Sequence, residues 1–134
     1  MPLSTTSLIK FPHLLDRRGS LVFVEGINHI PFDIKRVYYL YDVPTGQKRG
    51  GHAHKELRQI LIAISGSFEV HLTDGNKNVQ YNLNNPSEGL LITPMVWRDL
   101  KNFSSNSVCL VMASEIYDEN DYHRDYNEFI QKVL

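Results

Sequence analysis

Ser67-Phe-Glu-Val-His-Leu-Thr73 alternates without a break, and Asp74-Gly75 and then Asn78-Val-Gln-Tyr-Asn-Leu83 follow it. Phe68, Val70 and Leu72 point one way, and Glu69, His71 and Thr73 the other, as in a half-buried strand. Asp-Gly between two such runs is a hairpin signal, because the tight turn needs residues that tolerate positive φ. Working outward, similar short runs occur at 21–26, 34–41, 51–54, 58–64, 89–92 and 107–113. Turn residues separate them: Arg18-Gly19, Pro44-Thr-Gly46, Gly66 and Asn84-Asn-Pro86. Short strands at regular spacing predict an all-β, mostly antiparallel sandwich or barrel.

The tail reads differently. From Glu119 to Leu134, Tyr122, Tyr126, Phe129, Ile130 and Leu134 recur at helical spacing, with acids early and Lys132 late, as the helix dipole favours. Asp118 is the expected N-cap. The reading is a short C-terminal helix packed across the barrel. The 134 residues contain no repeat, linker or low-complexity segment, so a single domain over 1–134 is expected.

Composition narrows the function classes. The net charge is −1, with no basic or acidic run, so neither nucleic acid nor a membrane surface is an expected partner. An anionic ligand would have to be held by a few placed Arg and Lys side chains. Cys109, the single cysteine, lies in an apolar run and reads as inert core. Neither a signal peptide nor a run of roughly 18 apolar residues occurs, which makes a cytoplasmic location the expectation.

The informative segment is Arg49-Gly-Gly-His52-Ala-His54-Lys55, with Gln59 and Gly66 beyond it. Residues two apart on a strand share a face, so His52 and His54 project side by side and Gln59 can join them. This spacing resembles the first cupin motif, with Gln59 where a metal-binding cupin carries Glu. In the stretch resembling the second motif, Gly89-Leu-Leu-Ile-Thr-Pro-Met-Val-Trp-Arg98, Val96 stands in the Gly position and no His follows. Two imidazoles, a neutral amide and a nearby Arg98 make a poor set for a divalent metal. No metal and no cofactor are therefore expected, which leaves the histidines free for proton transfer. His13, His29, His71 and His123 have no such company and read as surface or rim.

The chain also resembles, from about residue 9 to 129, the cupin-fold sugar-nucleotide 3,4-ketoisomerases, the WxcM-like enzymes acting on dTDP-4-keto-6-deoxyglucose. The residues that carry this are Arg18-Gly-Ser-Leu21, Pro31-Phe-Asp-Ile-Lys-Arg-Val-Tyr-Tyr39, Arg49 to Lys55, Gly89-Leu90, Val96-Trp97, Phe103-Ser-Ser-Asn-Ser-Val108 and Ala113-Ser-Glu-Ile-Tyr-Asp-Glu-Asn-Asp-Tyr122. The resemblance implies a cupin, that is, a double-stranded β-helix or jelly-roll barrel. It implies an isomerase that takes the proton from carbon 3 of a 4-keto sugar and returns one at carbon 4 through an enediol. His52 and His54 would be catalytic, with their roles undivided and His52 favoured as the carbon base.

Arg36, Arg49 and Lys55 are candidates for the diphosphate, though each could merely cap the barrel rim. Of Tyr38 and Tyr39, which point oppositely, one should line the pocket and the other pack. Gln59 would hydrogen-bond the sugar or hold a histidine. Arg18 and Arg98 would border the pyranose, and Arg98 is the first suspect for the carbon-4 epimer. Trp97 reads as core. The resemblance further implies a homodimer with exchanged N-terminal strands, and a product that continues to an aminated, acylated sugar of a surface polysaccharide such as O-antigen. The alternatives are an epimerase of the same fold acting at carbons 3 and 5, a non-catalytic sugar-binding cupin, and a metal-dependent dioxygenase, which the ligand set disfavours.

Overall fold

Twelve strands and one α-helix order the described residues. They are β1 (Ser7–Lys10), β2 (His13–Asp16), β3 (Gly19–Val22), β4 (Arg36–Tyr41), β5 (Arg49–His54), β6 (Gln59–Ser65), β7 (Phe68–Thr73), β8 (Asn78–Leu83), β9 (Glu88–Ile92), β10 (Trp97–Lys101), β11 (Val108–Ala113), β12 (Tyr122–His123) and α1 (Tyr126–Val133). The computed structural model describes residues 2–134.

Two five-stranded antiparallel sheets face each other, in the orders β1-β9-β6-β11-β4 and β12-β5-β10-β7-β8. From β4 to β11 the chain changes sheet at every connection except the β7–β8 hairpin, and β9, β10 and β11 each return beside earlier strands. That is the jelly roll of a cupin, as the alternating pattern and the resemblance required. β2 and β3 pair only with each other, as a separate hairpin.

Alternation explains the core. Phe68, Val70 and Leu72 of β7 are buried while Glu69, His71 and Thr73 are half-exposed. They pack between the sheets with Leu61, Ala63, Leu90, Ile92, Val96, Leu100, Cys109 and Val111. Cys109 is fully buried and its thiol is pushed up to about 12 by that burial, so it is inert core. Outside the second sheet, α1 lays Phe129 over Ala53 and Trp97. Trp97 is 5.6 Å from Phe129 between ring centroids, which confirms its packing role.

Three expectations change. The first run ends at Val22 rather than extending to residue 26, because Gly26 instead bridges Ile30 and His29 Nδ1 accepts from the Glu25 N–H to close a loop. β1, β2 and β10 were not foreseen as strands; β10 escapes because its inward position at Arg98 carries a charge where periodicity expects an apolar side chain. The tail holds the expected short C-terminal helix, but not from residue 119 onward. Asp118 caps a 3₁₀ turn at Glu119–Asp121, Tyr122–His123 form β12, and the helix starts later with Asp125 as its cap, accepting from Glu128 N–H. Pairing of Tyr122 with His54 across the strands outweighs the helical spacing.

The start of β5 is shaped by two glycines. Gly50 and Gly51 have φ of 85° and 70°, and the register with β10 shifts there, with Arg98 opposite His52 and Asp99 opposite Gly50. This bulge aims the rest of β5 inward. A Cβ on Gly50 would lie 2.9 Å from the Arg98 carbonyl oxygen. G50A is therefore expected to lower stability by about 1–3 kcal/mol in urea unfolding. An unchanged midpoint would show that the bulge tolerates a side chain.

Candidate active site

β5 places His52 and His54 on one face, with Ala53 turned outward under the helix. The flanking strands supply their neighbours: Arg98 of β10 lies opposite His52, and Tyr122 of β12 opposite His54. The two imidazole centroids are 4.9 Å apart, and the Tyr122 ring sits 5.0 Å from His52 and 4.3 Å from His54.

These residues border a cavity of about 470 Å³ between the sheets, within the usual range for a small-molecule site. Its wall contains Arg36, Lys48, Arg49, Arg98 and Arg124, together with Tyr38, Gln59, His52 and Tyr122, and no Asp or Glu. Several lining groups have unmet hydrogen-bonding capacity. Among the described residues, Nε and Nη2 of Arg36 are buried without partners. The Arg36 guanidinium lies 5.4 Å from the Tyr38 ring centroid and 5.7 Å from that of Tyr117. Such a cavity favours an anion with several oxygens.

Arg98 is buried completely. It donates to Gln59 Oε1 at 2.6 Å and to the Val96 carbonyl at 2.8 Å. Gln59 Nε2 in turn donates to the Tyr38 hydroxyl at 3.1 Å. The amide therefore bridges a cation and a phenol, a task for which a carboxylate lacks the donor. Because the phenol accepts from Gln59, its own proton is free to point elsewhere. Burial raises the Tyr38 pKa, so the group stays protonated.

Both histidines are held neutral. The His52 pKa is lowered to about 3, first by burial and then by the charge of Arg98 and the neighbouring His54. The Gly50 backbone opposes the shift weakly without reaching hydrogen-bond geometry, so both ring nitrogens stay buried and unpaired. His54 is lowered to about 2 by burial, then by Arg98, Arg36 and Arg124. Its Nδ1 lies 2.9 Å from Asp121 Oδ2, which by itself would favour the charged ring, while Nε2 is buried and unpaired. The downward direction governs, since burial and three guanidinium groups act together against one carboxylate.

The structure brings Arg36, Tyr38, Arg49, His52, Gln59 and Arg98 to one cavity, with His54 immediately behind His52. It does not bring Arg18, Tyr39 or Lys55 there. Arg18 sits in the β2–β3 turn, paired with Asp16, its side chain 85% exposed. Tyr39 points outward from β4, exposed beside Tyr41 rather than packed, along a depression that shares Leu40, Lys48 and Arg49 with the cavity. Lys55 turns away to donate to the Asn120 carbonyl.

Four residues escaped the sequence reading: Lys48, Asp121, Tyr122 and Arg124. The last three lie in the stretch taken for a helix. Arg124 sits 4.1 Å above the Tyr122 ring and pairs with Glu119, which also accepts from the Tyr117 hydroxyl. The signal was present in the string of acids and aromatics, 117–124, but helical periodicity assigned it to packing. The other histidines are indeed elsewhere; His71, for example, pairs with Glu69 on the outer face of β7. No group of three or more potential metal ligands occurs among the described residues.

Comparison with known proteins adds an independent line. The family described as FdtA: WxcM-like, C-terminal matches residues 4–134. A TDP-4-oxo-6-deoxy-alpha-D-glucose-3,4-oxoisomerase from Aneurinibacillus thermoaerophilus is 47% identical over 122 residues, 91% of this chain and 88% of the relative. The crystal structure of QdtA, a sugar 3,4-ketoisomerase from Thermoanaerobacterium thermosaccharolyticum in complex with TDP, is 45% identical with a TM-score of 0.96. That match covers 98% of this chain and 96% of the other. A His-to-Asn variant of the same protein, in complex with TDP-4-keto-6-deoxyglucose, gives 44% identity and a TM-score of 0.94 over 96% and 93% of the chains.

The neutral state of His52 has a measurable consequence. Between its ordinary value of 6.5 and the folded value of about 3, the unfolded chain binds the proton and the folded chain does not. Stability should therefore be full above pH 6.5 and fall as pH drops through that window. The contribution of one such proton is about 1.4 kcal/mol per pH unit. H52N should show a shallower acid-side loss by about that slope in urea unfolding at a series of pH values. Identical slopes would mean that His52 is not held neutral.

Proposed function

We propose, from the premise that this chain belongs to the FdtA family of WxcM-like proteins, that it is a sugar-nucleotide 3,4-ketoisomerase converting dTDP-4-keto-6-deoxyglucose to a dTDP-3-keto-6-deoxyhexose. One observation carries the chemistry: two neutral imidazoles with unpaired nitrogens stand beside a cavity walled by cations and free of carboxylates. The ketone at carbon 4 acidifies the proton on carbon 3. An imidazole takes that proton, an enediol forms, and a proton returned to carbon 4 leaves the ketone at carbon 3. Hydrogen moves as a proton throughout, so the step requires no redox cofactor.

In this reading His52 and His54 are the proton-transfer groups, with His52, whose ring borders the cavity, as the carbon base. Arg36, Lys48, Arg49 and Arg124 hold the diphosphate. Tyr38, whose hydroxyl already accepts from Gln59, donates to a sugar oxygen. Arg98 sets the field that keeps the imidazoles unprotonated and borders the carbon-4 end of the pyranose. A metal has no part in it: the fully buried Arg98 guanidinium would repel a cation beside His52, and His54 Nδ1 is already engaged by Asp121. The product's carbon-3 ketone is a handle for amination in the cytoplasm, on the way to a surface polysaccharide. No helix of the described residues is long and apolar enough to cross a membrane.

The reaction distinguishes this reading from its rivals. Chelator-treated protein and dTDP-4-keto-6-deoxyglucose in heavy water should give, by NMR, a 3-keto product with deuterium at carbon 4. Each of H52N and H54N should lose about 10²–10⁴-fold in kcat. A product that keeps its ketone at carbon 4 would identify an epimerase. Binding without turnover would identify a sugar-binding cupin, and loss of activity on chelation a metal enzyme.

The working form is proposed to be a homodimer. The β2–β3 hairpin exposes Leu14, Leu15 and Leu21, which is costly unless a second copy covers them. Exchange of this hairpin would also take Arg18 toward the partner's cavity. Light scattering should give twice the chain mass, and L14E with L15E should shift it to one chain. A monomeric unmodified protein would overturn the exchange.

A further inference from the structure

We propose that Asp121 is the positioning residue that fixes the tautomer of His54, leaving Nε2 as an unprotonated acceptor in the site. The proposal rests on the isomerase reading for its catalytic consequence, though not for the tautomer itself. Asp121 Oδ2 lies 2.9 Å from His54 Nδ1.

The argument is one of donors and acceptors. The Asp121 carboxylate accepts from the Glu56 N–H at Oδ1 (2.8 Å) and from the Leu57 N–H at Oδ2 (3.4 Å). Backbone N–H groups can only donate, and a carboxylate has no proton to offer His54. The short contact therefore requires Nδ1 to be the donor. A neutral imidazole carries one N–H, so Nε2 holds a lone pair. That nitrogen is fully buried and unpartnered among the described residues, which is costly unless something arriving in the site donates to it. His52 has no comparable partner on either nitrogen, so of the two site histidines His54 alone has its tautomer fixed by the protein.

The carboxylate is rigidly held. The Asp121 carbonyl accepts from the Lys55 N–H at 2.8 Å, and the 3₁₀ turn is capped by Asp118. Three bonds thus pin Asp121 to the turn between β5 and β6. The same bonds mean that Asp121 also ties down the segment carrying Tyr122 and Arg124. Loss of activity on deletion would consequently not separate positioning from structure.

D121N separates them. The amide has the same shape, and its oxygen keeps the shorter bond from the Glu56 N–H. The amide NH₂ then faces Nδ1 as a donor, which makes Nδ1 the acceptor and moves the proton to Nε2. The test is ¹⁵N NMR of histidine-labelled full-length protein without substrate, with His54 assigned by difference from H54Q. The expected result is an Nδ1–H tautomer in the unmodified protein and Nε2–H in D121N. Alongside it, kcat should fall about 10²-fold or more, while KM and the thermal midpoint stay close to those of the parent.

An Nε2–H tautomer at His54 in the unmodified protein would overturn the proposal, whether or not D121N folds. So would a D121N protein with the inverted tautomer and undiminished kcat. If the unmodified protein fails to isomerise the keto sugar while His54 shows Nδ1–H, the isomerase reading fails and the tautomer assignment stands.

Discussion

A guanidinium buried between two sheets is the constraint around which the site is arranged. Arg98 is fully removed from water, and its charge is met only by the Gln59 amide oxygen and the Val96 carbonyl. A carboxylate partner would have neutralised it. Carbonyl dipoles satisfy its hydrogen bonds and leave its charge in place. Burial lowers the Arg98 pKa, to about 10, which still leaves the group charged near neutrality. That residual charge is felt by both imidazoles and works with burial to keep them uncharged. The wall of the cavity adds Arg36, Lys48, Arg49 and Arg124 without any acid. Glu119 balances Arg124, but Arg36, Lys48, Arg49 and Arg98 leave the site with an excess of positive charge that suits an incoming anion.

This arrangement also explains a substitution that first looks like a loss. In a metal-binding cupin the position of Gln59 is a carboxylate. Here it must accept from Arg98 and donate to Tyr38 at the same time, and only an amide does both. The change from acid to amide thus converts a ligand position into a bridge between a charge and a phenol. A polar network thus runs from Arg98 through Gln59 to Tyr38 beside the histidines.

Much of this was legible in the string of residues. Period-two alternation at Phe68, Val70 and Leu72 and the Asp74-Gly75 turn carry the sheet, and His52-Ala-His54 with Gln59 marks the interior of β5. Two kinds of information were hidden. The first is inward charge: Arg98 occupies a core position, and a pattern based on hydropathy skips the strand that holds it. The second is competition between local and distant pairing. Tyr122 fits a helical face with Tyr126 and Phe129, yet it pairs with β5, and Asp118 and Asp125 each cap a separate turn. The spacing of apolar residues cannot report that choice, because the deciding partner, His54, lies 68 positions away. Arg18 shows a third limit. It lies in the exposed β2–β3 turn, paired with Asp16, and no spacing within the chain encodes where that hairpin packs.

The depressed pKa values raise a question of timing. A base held far below neutrality is unprotonated but weak, and general-base catalysis is most effective when the pKa lies near the working pH. The cause of the depression supplies the answer. Part of it comes from the same guanidinium charges that face the cavity. A diphosphate bound among these cations would offset the part of that field that comes from Arg36 and Arg124, and the imidazole pKa would rise as the substrate entered. The free enzyme would keep its histidines deprotonated and ready, and the anion that brings the carbon acid would make them stronger bases on arrival. Burial remains in both states, so the rise is bounded by the electrostatic part. The positive cavity would then serve two ends with one set of charges: it would hold the nucleotide, and it would couple binding to basicity.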